Sequence, residues 1–141
     1  MRIGKVRIIG LATFFCVTLS IALFQASYAF EIGLDVAPNT LNIQSESQVV
    51  TAHTTIKYVS VDHDNVYLNG IKISSWKADN RGYFVAKFLM SEVKALADTG
   101  SLVVPGENTL LLVGYTTEGV EFTGSRMITV IDIVPVGAGK K

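Results

Sequence analysis

VYLNGIKISSW, residues 66–76, places the dipeptide Asn69-Gly70 between two runs rich in strand-forming residues. A type I′ turn needs positive φ at both central positions, and Asn followed by Gly adopts that conformation at low cost. The stretch therefore predicts a β-hairpin with strands at residues 66–68 and 71–76. Because a two-residue turn joins antiparallel neighbours, the segment favours an antiparallel sheet.

Trp76, the only tryptophan, ends this hairpin and is its largest side chain. By strict alternation Trp76 points to the same side as Lys72, which is the solvent side. We interpret Trp76 as a core residue that a bulge near Ser74-Ser75 turns inward, because large aromatic side chains usually contribute buried area. The alternative is an exposed Trp76 that stacks on a sugar or a partner protein.

Period-two alternation predicts further strands on both sides of the hairpin. In residues 49–59 one face carries Val50, Ala52, Thr54, Ile56 and Tyr58, whereas the opposite face is polar and predicted to be solvated. The remaining predicted strands are residues 30–36, 40–43, 83–89, 109–116 and 120–133. We interpret the polar run 61–65 as a connection between strands.

One short helix is predicted at residues 91–97, with Ser91 as its N-cap and Gly100 after its end. No other segment offers a crossover helix for a parallel sheet. The fold class is therefore predicted to be all-β. In detail, the pattern of short strands and turns predicts a single antiparallel immunoglobulin-like β-sandwich with one short connecting helix, preceded by a signal peptide.

Residues 1–29 have the organisation of a secretory signal peptide. Three basic residues precede the uncharged apolar run 8–24, and Ser27-Tyr28-Ala29 supplies small residues at the −3 and −1 positions. Cleavage after Ala29 leaves a domain at residues 30–133 and a flexible tail at residues 134–141, exported to the periplasm or the cell exterior. An uncleaved anchor is the alternative, because the apolar run 8–24 is only slightly shorter than the about 20 apolar residues that a membrane-spanning helix needs.

The composition after residue 29 excludes several classes of function. The mature chain would carry 9 basic and 12 acidic side chains, so its net charge would be −3. Nucleic-acid binders present basic patches, and we therefore expect no nucleic-acid partner. Cys16 is the only cysteine and lies in the apolar run, which leaves the mature chain without a disulfide or a cysteine nucleophile. Secretion without disulfides favours a prokaryotic origin.

Two segments carry a resemblance to a known family. Leu34-Asp35-Val36-Ala37-Pro38-Asn39-Thr40-Leu41-Asn42-Ile43 resembles an opening I-D-I-x-P-x-x-x-P-N-x-I-N-L pattern, and residues 114–128 resemble a closing G-x-x-x-D-G-x-x-F-x-G-x-D-x-I pattern. The family comprises poorly characterised immunoglobulin-like β-sandwich modules in secreted bacterial and archaeal proteins. The resemblance implies a module of this fold without a known activity.

The chain departs from this family in its acidic residues. Asn80 and Arg81 stand in the loop where the family has a D-x-D-G-D-like run, and Arg126 stands where the closing pattern has an acidic residue. The resemblance therefore implies no calcium in the loop at residues 79–82.

Asp62-His63-Asp64-Asn65 is the densest cluster of polar residues in the chain. Asp62, Asp64 and Asn65 offer the oxygen ligands that Ca²⁺ prefers, and His63 would add a softer ligand. The alternative is a solvated turn in which the Asp and Asn side chains bond their own backbone. The spacing of an EF-hand loop is absent. Asp62, Asp64 and Asn65 are thus the metal-site hypothesis, although we expect no cofactor.

The basic residues Lys72, Lys77, Arg81 and Lys87 are interleaved with Trp76 and Tyr83 in one hairpin region. We predict Trp76, Arg81 and Tyr83 as candidate ligand-binding residues, for a polysaccharide or a protein partner. The alternative is that these charges keep a sheet edge soluble.

No motif for catalysis is present. His53 and His63 are the only histidines, and the chain has neither Gly-x-Ser-x-Gly nor a glycine-rich phosphate loop. We expect a non-enzymatic exported binding or scaffolding module, with a calcium- or carbohydrate-binding module of the cell surface as the alternative. A hydrolase whose carboxylates meet only in the folded chain ranks last. Contact with a membrane is expected only through an uncleaved signal segment.

Overall fold

The computed structural model describes residues 28–136, so all but the last two residues of the predicted signal peptide and most of the predicted tail lie outside the described residues. Within this range the chain is mostly β-structure. Its strands are β1 (Phe30–Glu31), β2 (Leu34–Ala37), β3 (Thr40–Asn42), β4 (Val49–Lys57), β5 (Val61–Leu68), β6 (Ile71–Lys72), β7 (Ser75–Ala78), β8 (Tyr83–Leu89), β9 (Gly106–Thr116) and β10 (Glu121–Ile131). A single 3-10 turn (Tyr58–Ser60) joins β4 to β5, and the helix α1 (Met90–Asp98) follows β8.

The strands form two sheets. The six-stranded sheet has the order β1-β10-β9-β5-β6, with β3 also paired to β10, and the four-stranded sheet has the order β2-β4-β8-β7. All pairings are antiparallel except that β1 and β3 run parallel to β10. The expected antiparallel arrangement therefore holds for the body of both sheets but not for these two short strands.

The core lies between the inner faces of the two sheets. Alternate residues of β4 are buried, as the period-two pattern predicted. The largest fully buried side chains include Phe84 and Phe88 of β8 and Phe122 of β10. The two sheets thus bury a shared apolar interior, which is the arrangement of an all-β sandwich.

The hairpin at Asn69-Gly70 is confirmed. Asn69 has φ 46° and Gly70 has φ 83°, as a type I′ turn requires. Its second strand is shorter than predicted, because the chain leaves the six-stranded sheet directly after β6. Ile73 donates its N–H to the Val66 carbonyl at 3.0 Å, whereas Ser74 donates to the Lys87 carbonyl at 2.8 Å. Consecutive residues therefore belong to different sheets, and β7 begins on the four-stranded sheet.

The interpretation of residues 61–65 as a connection is wrong, because they form the first half of β5. The pairing of β5 with β9 is irregular between Val61 and Val66, and this bulge resets the alternation of buried and exposed residues. The strand was not predicted because residues 61–65 are mostly polar and the bulge interrupts the alternation of apolar and polar residues.

The predicted helix is confirmed, although its predicted cap is not. Leu89 occupies the N-cap position of α1 without a side-chain hydrogen bond, so Ser91 does not cap the helix. Met90 and Val93 are buried, and α1 covers one end of the core. Among residues 28–136 no helix is long and apolar enough to cross a membrane.

Candidate functional site

The candidate site is a groove on the outer face of the four-stranded sheet, between β2 and the turn that joins β7 to β8. It has a volume of about 610 Å³ and is open to solvent along one side. Its lining contains three acidic or basic side chains, a histidine and a tyrosine ring. The lining residues are Gly33, Leu34, Asp35, His53, Thr54, Thr55, Asp79, Asn80, Arg81 and Tyr83.

Strand register explains why these residues meet. Asp35 of β2 lies directly opposite His53 of β4, and both side chains are exposed on the outer face. Thr55 lies two residues beyond His53 on the same face, and its hydroxyl accepts the Gly33 N–H at 2.8 Å. The wall formed by β2 and β4 is therefore a rigid sheet surface that carries polar groups.

The opposite wall is the turn at residues 79–82, which Asp79 holds in shape. One carboxylate oxygen of Asp79 accepts the N–H of Arg81 at 2.8 Å and the N–H of Tyr83 at 2.9 Å. The hydrogen bond from Tyr83, helped by that from Arg81 and by its guanidinium, holds the pKa of Asp79 below its usual value of 3.8. Hydrogen bonds of this kind favour the charged carboxylate.

The lowered pKa of Asp79 predicts how acid affects the fold. A folded-state pKa below the unfolded value adds stability that is present above about pH 4 and is lost as the pH falls through the folded-state pKa. We expect the free energy of unfolding of the wild type to fall, relative to that of Asp79→Asn, between about pH 5 and about pH 2. Urea unfolding of both proteins across this range tests it. A difference between them that stays constant with pH would contradict the role of the charge.

The Tyr83 ring is held in place by a lysine of the neighbouring strand β4. Lys57 lies opposite Tyr83 in the register of β4 and β8, and its ammonium nitrogen lies 4.4 Å from the centre of the Tyr83 ring. This cation–π contact, together with a hydrogen bond from the same ammonium to the Arg81 carbonyl at 3.4 Å, ties both walls of the groove together.

The structure therefore places two of the three predicted ligand-binding residues, Arg81 and Tyr83, in one groove. Trp76 does not line it. Trp76 pairs with Ala86, whose side chain is fully buried, so the ring faces the inner side of the sheet. Because β7 is an edge strand, Trp76 nevertheless keeps 39% of its surface exposed. The predicted inward turn of Trp76 is therefore confirmed, although it follows from the change of sheet between Ile73 and Ser74, whereas the prediction that Trp76 is a core residue is wrong.

Trp76 instead closes the edge of the sandwich as part of an aromatic stack. The His63 ring lies 4.1 Å from the Tyr58 ring, 5.8 Å from the Phe84 ring and 6.0 Å from the Trp76 ring, measured between centroids. His63 Nε2 donates to the Tyr58 carbonyl at 2.8 Å. His63 is therefore occupied by packing and a backbone hydrogen bond.

The residues of the metal-site hypothesis lie on β5 rather than in a loop. Asp62 and Asp64 are exposed, whereas His63 between them is half-buried in the aromatic stack. Asn65 follows at the bulge, half-buried. Within residues 28–136 no group of three His, Cys, Asp or Glu side chains is close enough together to hold a metal ion.

We predict that calcium leaves the stability of the domain unchanged. A ligand that binds only the native state stabilises it by about 2.7 kcal/mol at a hundredfold excess over Kd, so a real site would raise the melting temperature clearly. Thermal melts in millimolar CaCl₂ and in a chelator should coincide. A higher melting temperature in calcium would contradict the prediction, and the segments at residues 62–65 and 79–82 would then be the candidates for the binding site.

A second groove lies at the end of the sandwich where β1 meets the hairpin of β9 and β10. It has a volume of about 660 Å³, and its lining mixes apolar side chains, among them Phe30, Ile56 and Val120, with the charged side chains of Glu31, Lys57 and Glu118. Lys57, which contacts the Tyr83 ring of the first groove, thus lines the second groove.

Sequence reasoning missed Asp35, His53 and Asp79 as members of the groove, and it missed Lys57 as the residue that contacts Tyr83 beside it. Asp79 could have been predicted, because the run Asp79-Asn80-Arg81-Gly82 is typical of a turn in which the Asp side chain binds the backbone. The other three depend on strand register, which a single sequence does not reveal. In comparisons with known proteins, no protein-family model, no curated protein and no solved structure matches this chain.

Proposed function

We propose that this protein is a non-enzymatic exported binding module that holds an extended polar ligand, a polysaccharide chain, in the groove of the four-stranded sheet. The observation that carries the proposal is the fixed Tyr83 ring beside Asn80, Arg81 and Asp79 in an open groove. Export is supported by the organisation of residues 1–29.

The chemistry of the lining supports a sugar polymer as the ligand. A rigid aromatic ring offers an apolar face on which a sugar ring packs, while amide, carboxylate and guanidinium groups bind its hydroxyls. Tyr83 provides the ring, Asn80 the amide and Arg81 the guanidinium, and Asp79 provides the carboxylate. The open side of the groove suits a chain that continues beyond the bound sugars.

Binding without chemical change is supported by the state of the two carboxylates. Asp35 Oδ1 lies 3.6 Å from the Arg126 guanidinium, and Asp79 accepts two backbone N–H groups. A general acid for glycoside hydrolysis needs a raised pKa, whereas the pKa of Asp79 is lowered. Both carboxylates support the walls of the groove.

An immunoglobulin-like arrangement is part of the proposal. In that fold one sheet has the strand order A-B-E-D and the other contains C, F and G. The orders β2-β4-β8-β7 and β10-β9-β5 agree with this arrangement if β2, β4, β5, β7, β8, β9 and β10 are taken as strands A to G, with β1, β3 and β6 as additional short strands. Such modules present binding surfaces on a scaffold whose core is independent of the ligand.

Affinity gel electrophoresis in xyloglucan, galactomannan and polygalacturonate tests the function. We expect at least one of these polysaccharides to retard the wild type, and Tyr83→Ala to lose about ten-fold or more in affinity for it, about 1.4 kcal/mol. The matched control is Tyr115→Ala, since Tyr115 is also half-buried and lies on the outer face of the other sheet. Its retardation should equal that of the wild type.

Thermal melts of both variants separate loss of binding from loss of fold. If Tyr83→Ala is folded and is still retarded like the wild type, the groove is not the binding site. If no polysaccharide retards the wild type, the proposed function is wrong.

A further inference from the structure

The charged side chains of the described residues are segregated between the two outer faces of the sandwich. On the six-stranded sheet the outer face carries acidic residues at four positions and one lysine, namely Asp62, Asp64, Glu107, Glu121 and Lys72. The outer face of the four-stranded sheet carries Lys57, Lys77 and Lys87, and Arg81 stands at its rim. The outer face of the four-stranded sheet is thus cationic, whereas that of the six-stranded sheet is acidic.

Each carboxylate on the cationic face has a partner within the protein, although Asp79 keeps its negative charge. Asp35 forms an ion pair with Arg126, and Asp79 accepts hydrogen bonds from two backbone N–H groups. Lys57 and Lys77 are exposed and Lys87 is half-buried. Among residues 28–136 the pair of Asp35 with Arg126 is the only ion pair, so these lysines face solvent without an acidic partner there.

Val85 shows that this face is covered by long side chains. It is fully buried, yet it lies on the outer face of β8 and does not belong to the core cluster. Its register neighbours are His53 on β4 and Lys77 on β7, and Tyr83 and Lys87 flank it along β8. Lysine stems cover apolar surface while their ammonium groups stay in water. Lys77 and Lys87 are therefore placed to cover Val85 with their stems while their ammonium groups stay in solvent.

The spacing of the cations indicates an extended ligand. Lys57 lies beside Tyr83, and Lys87 lies four residues further along β8, which corresponds to about 13 Å at the rise of a β-strand. Lys77 lies between them, one strand away, opposite Val85. One sugar unit does not reach from Lys57 to Lys87, whereas a polymer with a negative charge on successive units meets all three.

We infer that the ligand is an acidic polysaccharide, a chain of carboxylate-bearing sugars whose charges bind Lys57, Lys77 and Lys87 while one unit packs on Tyr83. This inference rests on the proposed function and specifies its ligand class. Charge-assisted contacts to carboxylates account for the cations, and the tyrosine ring and Asn80 account for the selection of a sugar chain over other polyanions.

The test uses polygalacturonate and the same polymer with its carboxylates methyl-esterified. We expect the wild type to bind the acidic form and to lose that binding on esterification. Raising NaCl from about 0.01 M to about 1 M shortens the Debye length from about 30 Å to about 3 Å and should abolish binding. Lys77→Gln should weaken binding about two- to fivefold, and Lys77→Gln/Lys87→Gln about tenfold or more.

Lys72→Gln is the matched control, because Lys72 is also an exposed lysine on a short edge strand but lies on the other sheet. It removes the same charge and should leave the affinity unchanged. If Lys72→Gln and Lys77→Gln lose affinity equally, the loss follows from the net charge of the protein and not from the cationic face, and the inference is overturned.

The remaining outcomes distinguish this inference from the proposed function. Retardation by neutral galactomannan that depends on Tyr83 but not on Lys77 would overturn the acidic ligand and leave the binding module standing. Absence of binding to every polysaccharide would overturn both. Binding to phosphatidylglycerol vesicles or duplex DNA in place of polygalacturonate would overturn the inference and assign the cationic face to another polyanion.

Discussion

Replacing Phe84 by alanine is expected to lower the free energy of unfolding by about 3–5 kcal/mol. The Phe84 side chain is fully buried, and its ring lies 5.8 Å from the His63 ring and 6.3 Å from the Tyr58 ring. Its removal leaves a cavity beneath the aromatic stack that closes the sandwich edge. For a domain of this size, whose stability is typically about 5–15 kcal/mol, this is a large fraction of the total.

Urea unfolding followed by the fluorescence of the single Trp76 measures this loss at the affected edge. Phe30→Ala is the matched control, since Phe30 is 41% exposed and should cost about 1 kcal/mol. If Phe84→Ala does not fold, Phe84→Leu should cost less than Phe84→Ala, because it leaves a smaller cavity, and it should remain measurable. Equal losses for Phe84→Ala and Phe30→Ala would contradict the central position of Phe84.

Gly114→Ala is expected to destabilise the six-stranded sheet by about 1–3 kcal/mol. A Cβ atom at Gly114 would collide with Cζ of Phe122, far inside van der Waals contact. Gly114 and Phe122 are direct partners in the register of β9 and β10, and the Phe122 side chain is fully buried. Glycine at this position therefore leaves room for the Phe122 ring to lie across the backbone of the neighbouring strand.

A double-mutant cycle tests this explanation. Phe122→Leu removes the ring atoms that collide, so Gly114→Ala/Phe122→Leu should lose less stability than the sum of the two single variants, by about 0.5–3 kcal/mol. Gly124→Ala is the control on the same pair of strands, because its closest contacts, 3.1 Å to Leu34 and 3.2 Å to Ile32, do not involve Phe122; its loss of stability should add to that of Phe122→Leu. Additive losses in the cycle would show that the clash is relieved elsewhere.

The features that sequence predicted are those with a local cause. Asn69-Gly70 fixes its own turn, and the alternation in β4 follows from burial of one face alone. The short helix after β8 was likewise recognisable. Each of these features is determined by residues that are close together in the sequence.

The features that sequence missed depend on partners far along the chain. Residues 61–65 are a strand because β9 supplies the partner, although Asp62 and Asp64 by themselves favour a turn. The chain passes from one sheet to the other between Ile73 and Ser74, and no local sequence pattern predicts this change.

The candidate site follows the same division. Arg81 and Tyr83 were predicted because they lie together in sequence. Lys57 joins them only through the register of β4 and β8, and Lys72 leaves the predicted basic cluster because β6 belongs to the other sheet. Proximity along the chain therefore predicted most of the cationic face, but it missed one lysine and misplaced another.

The two parallel pairings to β10 have a kinetic consequence. β1 and β3 precede nearly the whole domain, yet their partner is its last strand. The hairpin of β9 and β10 closes a short loop and can form within microseconds, whereas β1 and β3 close loops that span most of the domain. Refolding should thus proceed on the millisecond-to-second scale of all-β sandwiches, with the amino-terminal strands docking last. A nascent chain released before residue 121 has no template for them and leaves their backbone edges open to other chains.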